Sequence, residues 1–538
     1  MKADKPLAGL LAKSTRPTRD LNILFCIFIL GCIWAWNSIG LDLGTLVRES
    51  DSLAGLVERL TPPTFIGIEK ILELTLETVY MAVVGTTIGC LIAVPLAFLS
   101  SQHNSVVLTR YMAGLVISFF RSVPELVVAL IAVVLFGVGQ AAGVIALAYT
   151  SVGMIGRLTG TAIDQLPRDA EIAVRTTGAT GLQIILGVKI PLLWPQLLGV
   201  LLYRLDINLR ASTMLGVVGA GGIGLLLRTT MGNLDYQAAL GVILVIAGFV
   251  LLTELASILL RKLVLNPPED RQLRPANLTA VTKPITRNQL LSFSMFTGFF
   301  ALLLLSATNV IQASMDSDWN SDNFSKVLGG LIAPNFLDNS EQIFGGFLET
   351  LAIAILATLL GGILGTVVGV ISVREITGSW SGYLIARAFL IFKRAFPTVV
   401  LAVLLVVAFG LGPSAGVVAL SIGTGGILAK LITDSLEEID RRPIQALEAI
   451  GANRWQRFAS GWLPQVLPTL VGHLIYSFDI NIRYSAVLGV IGAGGIGFVL
   501  LTALREYNYP AASAVICLVF VSILTLELIS NLIRKRIS

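Results

Sequence analysis

The sequence predicts an all-α polytopic membrane protein of about 12 transmembrane helices, built as two parallel six-helix repeats. Composition is the first reason. Only 13% of the 538 residues are charged and the mean hydropathy is +0.83, where an ordinary soluble domain carries roughly 25% charged residues. That balance excludes a soluble globular chain, a disordered one and a disulfide-rich secreted scaffold. The second reason is that apolar runs of spanning length recur from end to end, whereas a transmembrane barrel would show short alternating segments. The third is an internal repeat that covers most of the chain.

The chain opens with a basic tail (Lys2, Lys5, Lys13, Arg16, Arg19) and an apolar run from Leu21 to about Trp36. A retained signal-anchor helix and a cleaved signal peptide both begin this way. The run is long enough to span, lacks an A-x-A-like cleavage site and precedes many more spans, so the retained anchor is expected. Further spans follow at about 72–99, 108–136, 142–163, 193–216 and 237–260, and the second half repeats the set at about 290–311, 345–372, 384–410, 415–436, 466–489 and 510–533. Domains are therefore expected at 1–262 and 290–538, joined by a polar, basic, proline-containing cytoplasmic linker at 263–289. The outside loops 40–71 and 312–344 precede the second span of each half, and the first is expected to include an interfacial amphipathic helix.

An even number of spans per half gives both halves the same orientation. With both termini in the cytoplasm, the outside lysines and arginines reduce to Arg48, Arg59, Lys70, Arg228, Lys326 and Arg505, as the positive-inside rule requires. The net charge of +5 comes from scattered loop residues and is no nucleic-acid signal. The expected surroundings are a lipid bilayer, with no nucleic acid partner.

The repeat is close. Residues 203–227 read YRLDINLRASTMLGVVGAGGIGLLL and residues 476–500 read YSFDINIRYSAVLGVIGAGGIGFVL, identical at 16 of 25 positions with a constant offset of 273. The same offset links Arg121-x-x-Pro124 to Arg394-x-x-Pro397, Arg157 to Lys430, Gly178 to Gly451 and Pro191 to Pro464. An offset held over so much chain means duplication of an entire membrane domain.

Charges inside the spans are repeated too. Tyr203, Asp206 and Arg210 share one helical face, and Tyr476, Asp479 and Arg483 repeat them. Each such charge costs about 2.5–3.5 kcal/mol at the bilayer centre on insertion scales, which makes these residues functional candidates. One reading makes Asp206–Arg210 and Asp479–Arg483 self-neutralising pairs that face the bundle. The other brings Arg210 and Arg483 together across a pseudo-twofold axis to give an anion a path. Asn208 and Asn481 add polar groups, read first as interhelical hydrogen-bond formers. Arg121 and Arg394 read as arginines snorkelling to the interface before a proline kink. His473, which stands where the first half has Val200, reads as a satisfied buried histidine.

The strings around Gly219, Gly221, Gly222 and Gly224, and around Gly492, Gly494, Gly495 and Gly497, contain G-x-G-x-x-G. Nucleotide binding by such a string needs a preceding strand and a βαβ unit. Transmembrane helix flanks it here, so a tight turn or part of a gate is expected, on the outer side of the fifth span.

Between the fourth and fifth spans lie two polar cytoplasmic segments, RDAEIAVRTTGATGLQIILGVKIPLLWPQ at 168–196 and RRPIQALEAIGANRWQRFASGWLPQVLP at 441–468. Each reads as a short helix, a Gly-Ala break, a second amphipathic helix, and a proline thirteen residues after the glycine. These segments resemble the EAA loop of permease subunits in binding-protein-dependent ABC importers. FRSVPELVVAL at 120–130, FGVGQAAG at 136–143 and the D-x-N-x-R run into LGVVGAGGIG narrow the resemblance to the phosphonate-type permease family, over roughly 70–265 and 343–535. Where the family usually has glutamate six residues before the loop glycine, this chain has Ile172 and Gln445, with Glu171 and Glu448 nearby.

The resemblance implies a type I ABC importer permease-like fold, with two permease domains fused in one chain. It implies import of phosphonate or a related phosphorus oxyanion across the cytoplasmic (inner) membrane. It also implies two ATPase subunits, which carry the ATP and Mg, and an extracytoplasmic solute-binding protein. The ATPases would dock on Ala173, Gly178, Ala179, Ala446, Glu448, Gly451 and Ala452.

The chain itself has no G-x-x-x-x-G-K-[ST] loop, no H-E-x-x-H and no paired Cys/His ligand set, so no cofactor, metal site or ATPase activity is expected in it. Its four cysteines (Cys26, Cys32, Cys90, Cys517) lie in apolar stretches. A 6+6 secondary transporter driven by an ion gradient would share the span count and the duplication. It would not need the paired loops, and Asp206 or Asp479 would serve as its proton-relay acid. A third reading keeps the importer and changes the solute, to an amino acid for example.

Overall fold

The computed structural model describes residues 26, 28–40, 55–65, 67–102, 106–265, 301–313 and 321–537. Every regular element among them is a helix. In the first half the main helices are α1 (Phe28–Ile39), α2 (Ile68–Ser100), α3 (Val107–Ser122), α4 (Glu125–Phe136), α5 (Gln140–Asp164), α6 (Arg168–Arg175), α7 (Gly181–Ile184), α8 (Ile190–Leu215), α9 (Ile223–Gly232) and α10 (Tyr236–Leu265), and a short helical stretch at 55–60 lies within the expected outside loop 40–71. The second half gives α11 (Ala301–Ala313), α12 (Ser321–Ile332), α13 (Ser340–Ile371), α14 (Arg374–Thr377), α15 (Trp380–Ala395), α16 (Thr398–Phe409), α17 (Pro413–Glu437), α18 (Arg442–Ala449), α19 (Arg454–Arg457), α20 (Leu463–Gly489), α21 (Ile496–Arg505) and α22 (Tyr509–Ile537). From α2 to α10 and from α13 to α22 the order is the same, except that α14 has no counterpart among the described residues.

Seven helical stretches among the described residues are long and apolar enough to cross a membrane, one of them running from Gly181 to Gly232 through α7, α8 and α9, or nine if each bent pair counts as one span. The 27-residue α20, about 40 Å long at 1.5 Å per residue, takes the place of α8 in the second half. Of the first spans expected at 21–39 and 290–311, only α1 and α11 lie among the described residues, together with residue 26. The expected linker at 263–289 lies outside them beyond residue 265.

The third span, expected over 108–136 with a proline kink, is broken more sharply than a kink. It is two helices, α3 and α4, bent by 83°. Pro124 has no N–H to continue the ladder, and it forces Val123 into extended backbone at φ −91, ψ 124. Phe396, before Pro397, does the same at φ −100, ψ 108 between α15 and α16.

The chain packs as two compact units, Pro62–Ser325 and Met1–Thr61 with Lys326–Ser538. Spatial packing thus follows a different cut from the sequence repeat. Helix α1 packs with the second-half helices, where Gly31 lies against Ile355 of α13, and α11 packs with the first-half ones.

Within each unit the closest seam joins the long helices α2 and α5, or α13 and α17. A methyl at Gly89 would overlap Ser151, and one at Gly361 would lie 2.7 Å from Cβ of Thr424. Small residues at such points let helix backbones approach closely, the way helices associate where lipid leaves little hydrophobic drive between them.

Candidate functional site

The fifth spans, α8 and α20, carry the repeated polar residues. Oδ2 of Asp206 lies 2.6 Å from Nη2 of Arg210, and Oδ2 of Asp479 lies 2.9 Å from Nη2 of Arg483. Both are i,i+4 pairs, one turn apart on the same face. Asp206 is only 4% exposed, whereas Arg210 and Arg483 are half-buried. Tyr203 and Tyr476, one turn before the aspartates, stay exposed at 42% each.

The asparagines between them are tied down. Nδ2 of Asn208 donates to Thr86 at 2.7 Å and Ser151 at 2.9 Å. Asn481 donates to Thr358 at 2.9 Å and accepts from Thr424 at 2.6 Å. Each asparagine thereby pins its fifth span to the seam of two other helices.

Glu254 and Arg204 escaped the sequence reading. Nη1 of Arg210 also lies 3.8 Å from Oε2 of Glu254 on α10. Glu254 recurs as Glu527 at the repeat offset of 273, a signal that was open to reading. Arg204 is 4% exposed and donates to Ser151 at 2.9 Å and Thr150 at 2.5 Å; among the described residues no carboxylate comes within 4 Å, and Glu125 at the start of α4 is the carboxylate whose charge acts on it. Its repeat mate is Ser477. The signal here was a span arginine present in one half alone.

The glycine strings form turns between helices. Gly219, Gly221 and Gly222 adopt φ of 102, 81 and 70, and Gly492, Gly494 and Gly495 adopt 95, 76 and 78. These are left-handed conformations that glycine reaches without strain. Gly224 and Gly497 instead pack against the carbonyls of Thr213 and Ala486, where a side chain would not fit. The turn delivers the first N–H groups of α9 to α2: Gly222 N donates to Oε1 of Glu77 at 3.0 Å and Ile223 N to Oγ1 of Thr78 at 3.0 Å. In the second half Ile496 N donates to Oγ1 of Thr350 at 2.8 Å, and Glu349 faces Gly494. Glu77 and Thr78 recur as Glu349 and Thr350 at an offset of 272, and the sequence reading passed over them. No strand precedes either string.

One further string, Gly412-Pro413-Ser414-Ala415-Gly416, spells the G-x-S-x-G of hydrolase nucleophile turns. It opens α17 directly after another helix, without the strand such a turn requires.

At the breaks of the third spans, the aliphatic part of Arg121 packs over Gly153. The matching Gly426 is covered by Lys393, one position before the sequence match Arg394, whose side chain is outside the described residues. His473 is half-buried, with Nε2 3.0 Å from Oγ of Ser435.

The two loops have the same build. Helix α6 ends at Arg175, just before Gly178 (φ 82), and Thr180 with Gln183 forms a capping box for α7. Helix α18 ends near Gly451 (φ 77), and Asn453 with Gln456 caps α19. Short π-helical turns, Ile185–Lys189 and Phe458–Trp462, lead into α8 and α20, with Pro191 and Pro464 in their first turns.

Ala173, Gly178, Ala446, Glu448 and Gly451 are exposed, while Ala179 and Ala452 are partly covered. Ile172 and Gln445 are exposed as well. Glu171 turns inward to Lys189 at 3.1 Å and Arg175 at 3.2 Å, and Glu448 pairs with Arg457 at 2.7 Å. Ile444 and Trp462 root the second loop in a buried cluster with Leu436 and Val466.

The repeat, the paired loops and the glycine turns meet in one known family. The profile of the binding-protein-dependent transport system inner membrane component matches residues 85–265 and again 361–538. The chain belongs to this family. It is a multi-pass membrane component of a transport system, carrying the family domain twice. The phosphate-import permease protein PhnE of Mycolicibacterium smegmatis is 36% identical over 91% of this chain and 90% of its own length. The phosphite transport system permease protein PtxC of Stutzerimonas stutzeri is 35% identical over 46% of this chain and 89% of its own. A cryptic phosphonate transport system permease protein, PhnE2 of Escherichia coli, is 38% identical over 22% of this chain and 96% of its own. The smaller relatives each match less than half of this membrane component.

Proposed function

We propose that the chain is the fused membrane permease of an ATP-driven importer, and that it carries phosphonate or a related phosphorus oxyanion, phosphite or phosphate, into the cell. Both termini lie in the cytoplasm in this reading. The observation that carries it is the duplicated, exposed loop, two helices about a left-handed glycine, in a chain whose relatives are named for phosphate, phosphite and phosphonate transport. Two ATPase subunits holding ATP and Mg dock beneath the loops, one at Ala173 and Gly178 and one at Ala446 and Gly451. A solute-binding protein delivers the anion from outside.

Arg210 and Arg483 supply positive charge along the path. Asp206, Glu254 and Asp479 offset that charge, so the anion is favoured without being held. Movement of α6 and α18 with the ATPases passes through the π-helical turns to the fifth spans that bear the arginines. The same carboxylates speak against the ion-gradient reading, because both candidate relay acids are already engaged by arginine.

The test is uptake into proteoliposomes that contain the chain with its ATPases, supplied with binding protein and labelled phosphonate. Uptake that requires ATP and is reduced by excess phosphite or phosphate supports the proposal. Uptake driven by a proton or sodium gradient with no ATPase present overturns it.

A further inference from the structure

The loop face of the second half carries more positive charge than its own carboxylates use. Arg441 pairs with Glu375 at 2.9 Å, Arg442 with Asp440 at 2.7 Å, Arg457 with Glu448 at 2.7 Å and Arg387 with Glu437 at 2.6 Å. Glu438 is exposed and forms no ion pair with either remaining arginine. Arg374 and Arg454 therefore stand without a carboxylate partner among the described residues.

These two arginines flank one turn, Arg454 through its guanidinium and Arg374 through its carbonyl and the ring of Trp380. Gly378 has φ 60 and closes α14, its N–H bonded to the Arg374 carbonyl at 3.1 Å. The guanidinium of Arg454 lies directly against Gly378, where any side chain would collide with it. Two residues on, exposed Trp380 stacks on Tyr383 with ring centroids 5.7 Å apart, and Cζ of Arg374 sits 4.9 Å from the Trp380 ring. Tryptophan and tyrosine of this kind mark the headgroup level of a bilayer. Arginine there offers a planar fork of donors that fits phosphate oxygens. The first half has Gly181 in place of Arg454 and Val107 in place of Trp380, so the arrangement belongs to the second half alone.

We propose that Arg374, Arg454 and Trp380 form a binding site for a phosphate group, presented by an anionic phospholipid of the inner leaflet or by free inorganic phosphate. The leaflet rests on the orientation proposed above. Because Arg454 opens α19, an occupied site ties the second coupling loop to the membrane surface through its helix. The remaining two-arginine charge is what the phosphate neutralises, and the indole fixes the depth at which it is met.

The experiment is native mass spectrometry of the full-length chain, purified in mild detergent, stripped of lipid and titrated with phosphatidylglycerol, phosphatidylcholine or inorganic phosphate. It needs no ATPase, so its outcome is separate from that of the importer reading. Phosphatidylglycerol binds tightly and phosphatidylcholine weakly. Arg374→Gln with Arg454→Gln weakens phosphatidylglycerol binding by about fivefold per arginine and about thirtyfold together. Arg374→Lys with Arg454→Lys, which keeps the charge, stays within a few-fold of the native chain and serves as the folding control. Displacement of the lipid by inorganic phosphate in the native chain assigns the site to free phosphate, and lack of displacement assigns it to lipid. Equal binding of phosphatidylglycerol by the native chain and the glutamine double variant overturns the proposal, as does equal binding of the two lipids by the native chain.

Discussion

Oε1 of Glu77 on α2 accepts a hydrogen bond from the backbone N–H of Gly222 at 3.0 Å, so the start of α9 is met by a carboxylate of the chain itself. A helix N-terminus at the end of a glycine-rich turn is a ready anion site. Here the anion is built in, and the neighbouring Thr78 hydroxyl takes the next N–H. The string that resembles a nucleotide fingerprint is a structural clasp between the second and fifth spans.

The clasp predicts a steep response to small substitutions. Gly221 holds φ 81, and a Cβ there would come within 2.5 Å of Oε1 of Glu77. Gly221→Ala is expected to lower stability by about 1–3 kcal/mol, and Thr78→Val by about 1 kcal/mol through loss of the cap. Thermal unfolding in detergent reads both. An unchanged Tm for Gly221→Ala would mean that the turn is not held as described.

The Asp206–Arg210 pair predicts a separation of folding from transport. Arg210→Gln leaves Asp206 buried beside a neutral side chain and is expected to destabilise by about 3 kcal/mol, whereas Asp206→Asn with Arg210→Gln removes both charges and recovers most of that loss. If the arginines guide the anion, uptake stays at least about tenfold down in the recovered variant, the equivalent of about 1.4 kcal/mol. Full uptake there would leave the pair a purely structural role.

Arg204 predicts the opposite pattern. A buried arginine is costly to desolvate, and Glu125 at the start of α4 is the carboxylate whose charge offsets it, so only removal of both charges in favour of side chains of similar volume is expected to be neutral or stabilising. Arg204→Met combined with Glu125→Gln is expected to keep or raise the Tm, while Arg204→Ala, which leaves both a cavity and the uncompensated Glu125, lowers stability by about 2–5 kcal/mol. A falling Tm in the double variant would show that the bonds to Ser151 and Thr150 outweigh the desolvation.

Hydropathy and the offset of 273 made most of the architecture legible, because duplication writes each element twice. The paired loops, the glycine turns and the aspartate–arginine pairs all lie where the repeated letters stand. The bends at Pro124 and Pro397 did not show in hydropathy, since the apolar run continues through them while the backbone turns by 83° and 91°. The exchange of α1 and α11 between units left no local mark either. It is a choice of packing partner, and apolar faces of one lipid-like character do not encode it. Glu77 and Glu349 were hidden by a slip of the offset to 272 in the second spans, and Arg204 by standing opposite Ser477, so that no repeated letter draws attention to it.

The loops predict a surface effect without a folding effect. Ala173 and Ala446 are exposed on short helices, so Ala173→Trp and Ala446→Trp should leave the Tm within about 0.5 kcal/mol equivalents of native, as surface changes usually do. Association with the ATPases is expected to fall sharply in each and further in both. Undiminished co-purification would move the docking surface elsewhere on the loops.

The most direct test of the account is a pull-down of the tagged full-length chain in mild detergent, with every co-purifying protein quantified. A fused importer permease recovers two copies of a P-loop ATPase per chain, and Ala173→Trp with Ala446→Trp reduces that recovery. Recovery of the chain alone, in several detergents and with nucleotide present, would contradict the importer and leave a gradient-driven transporter in its place.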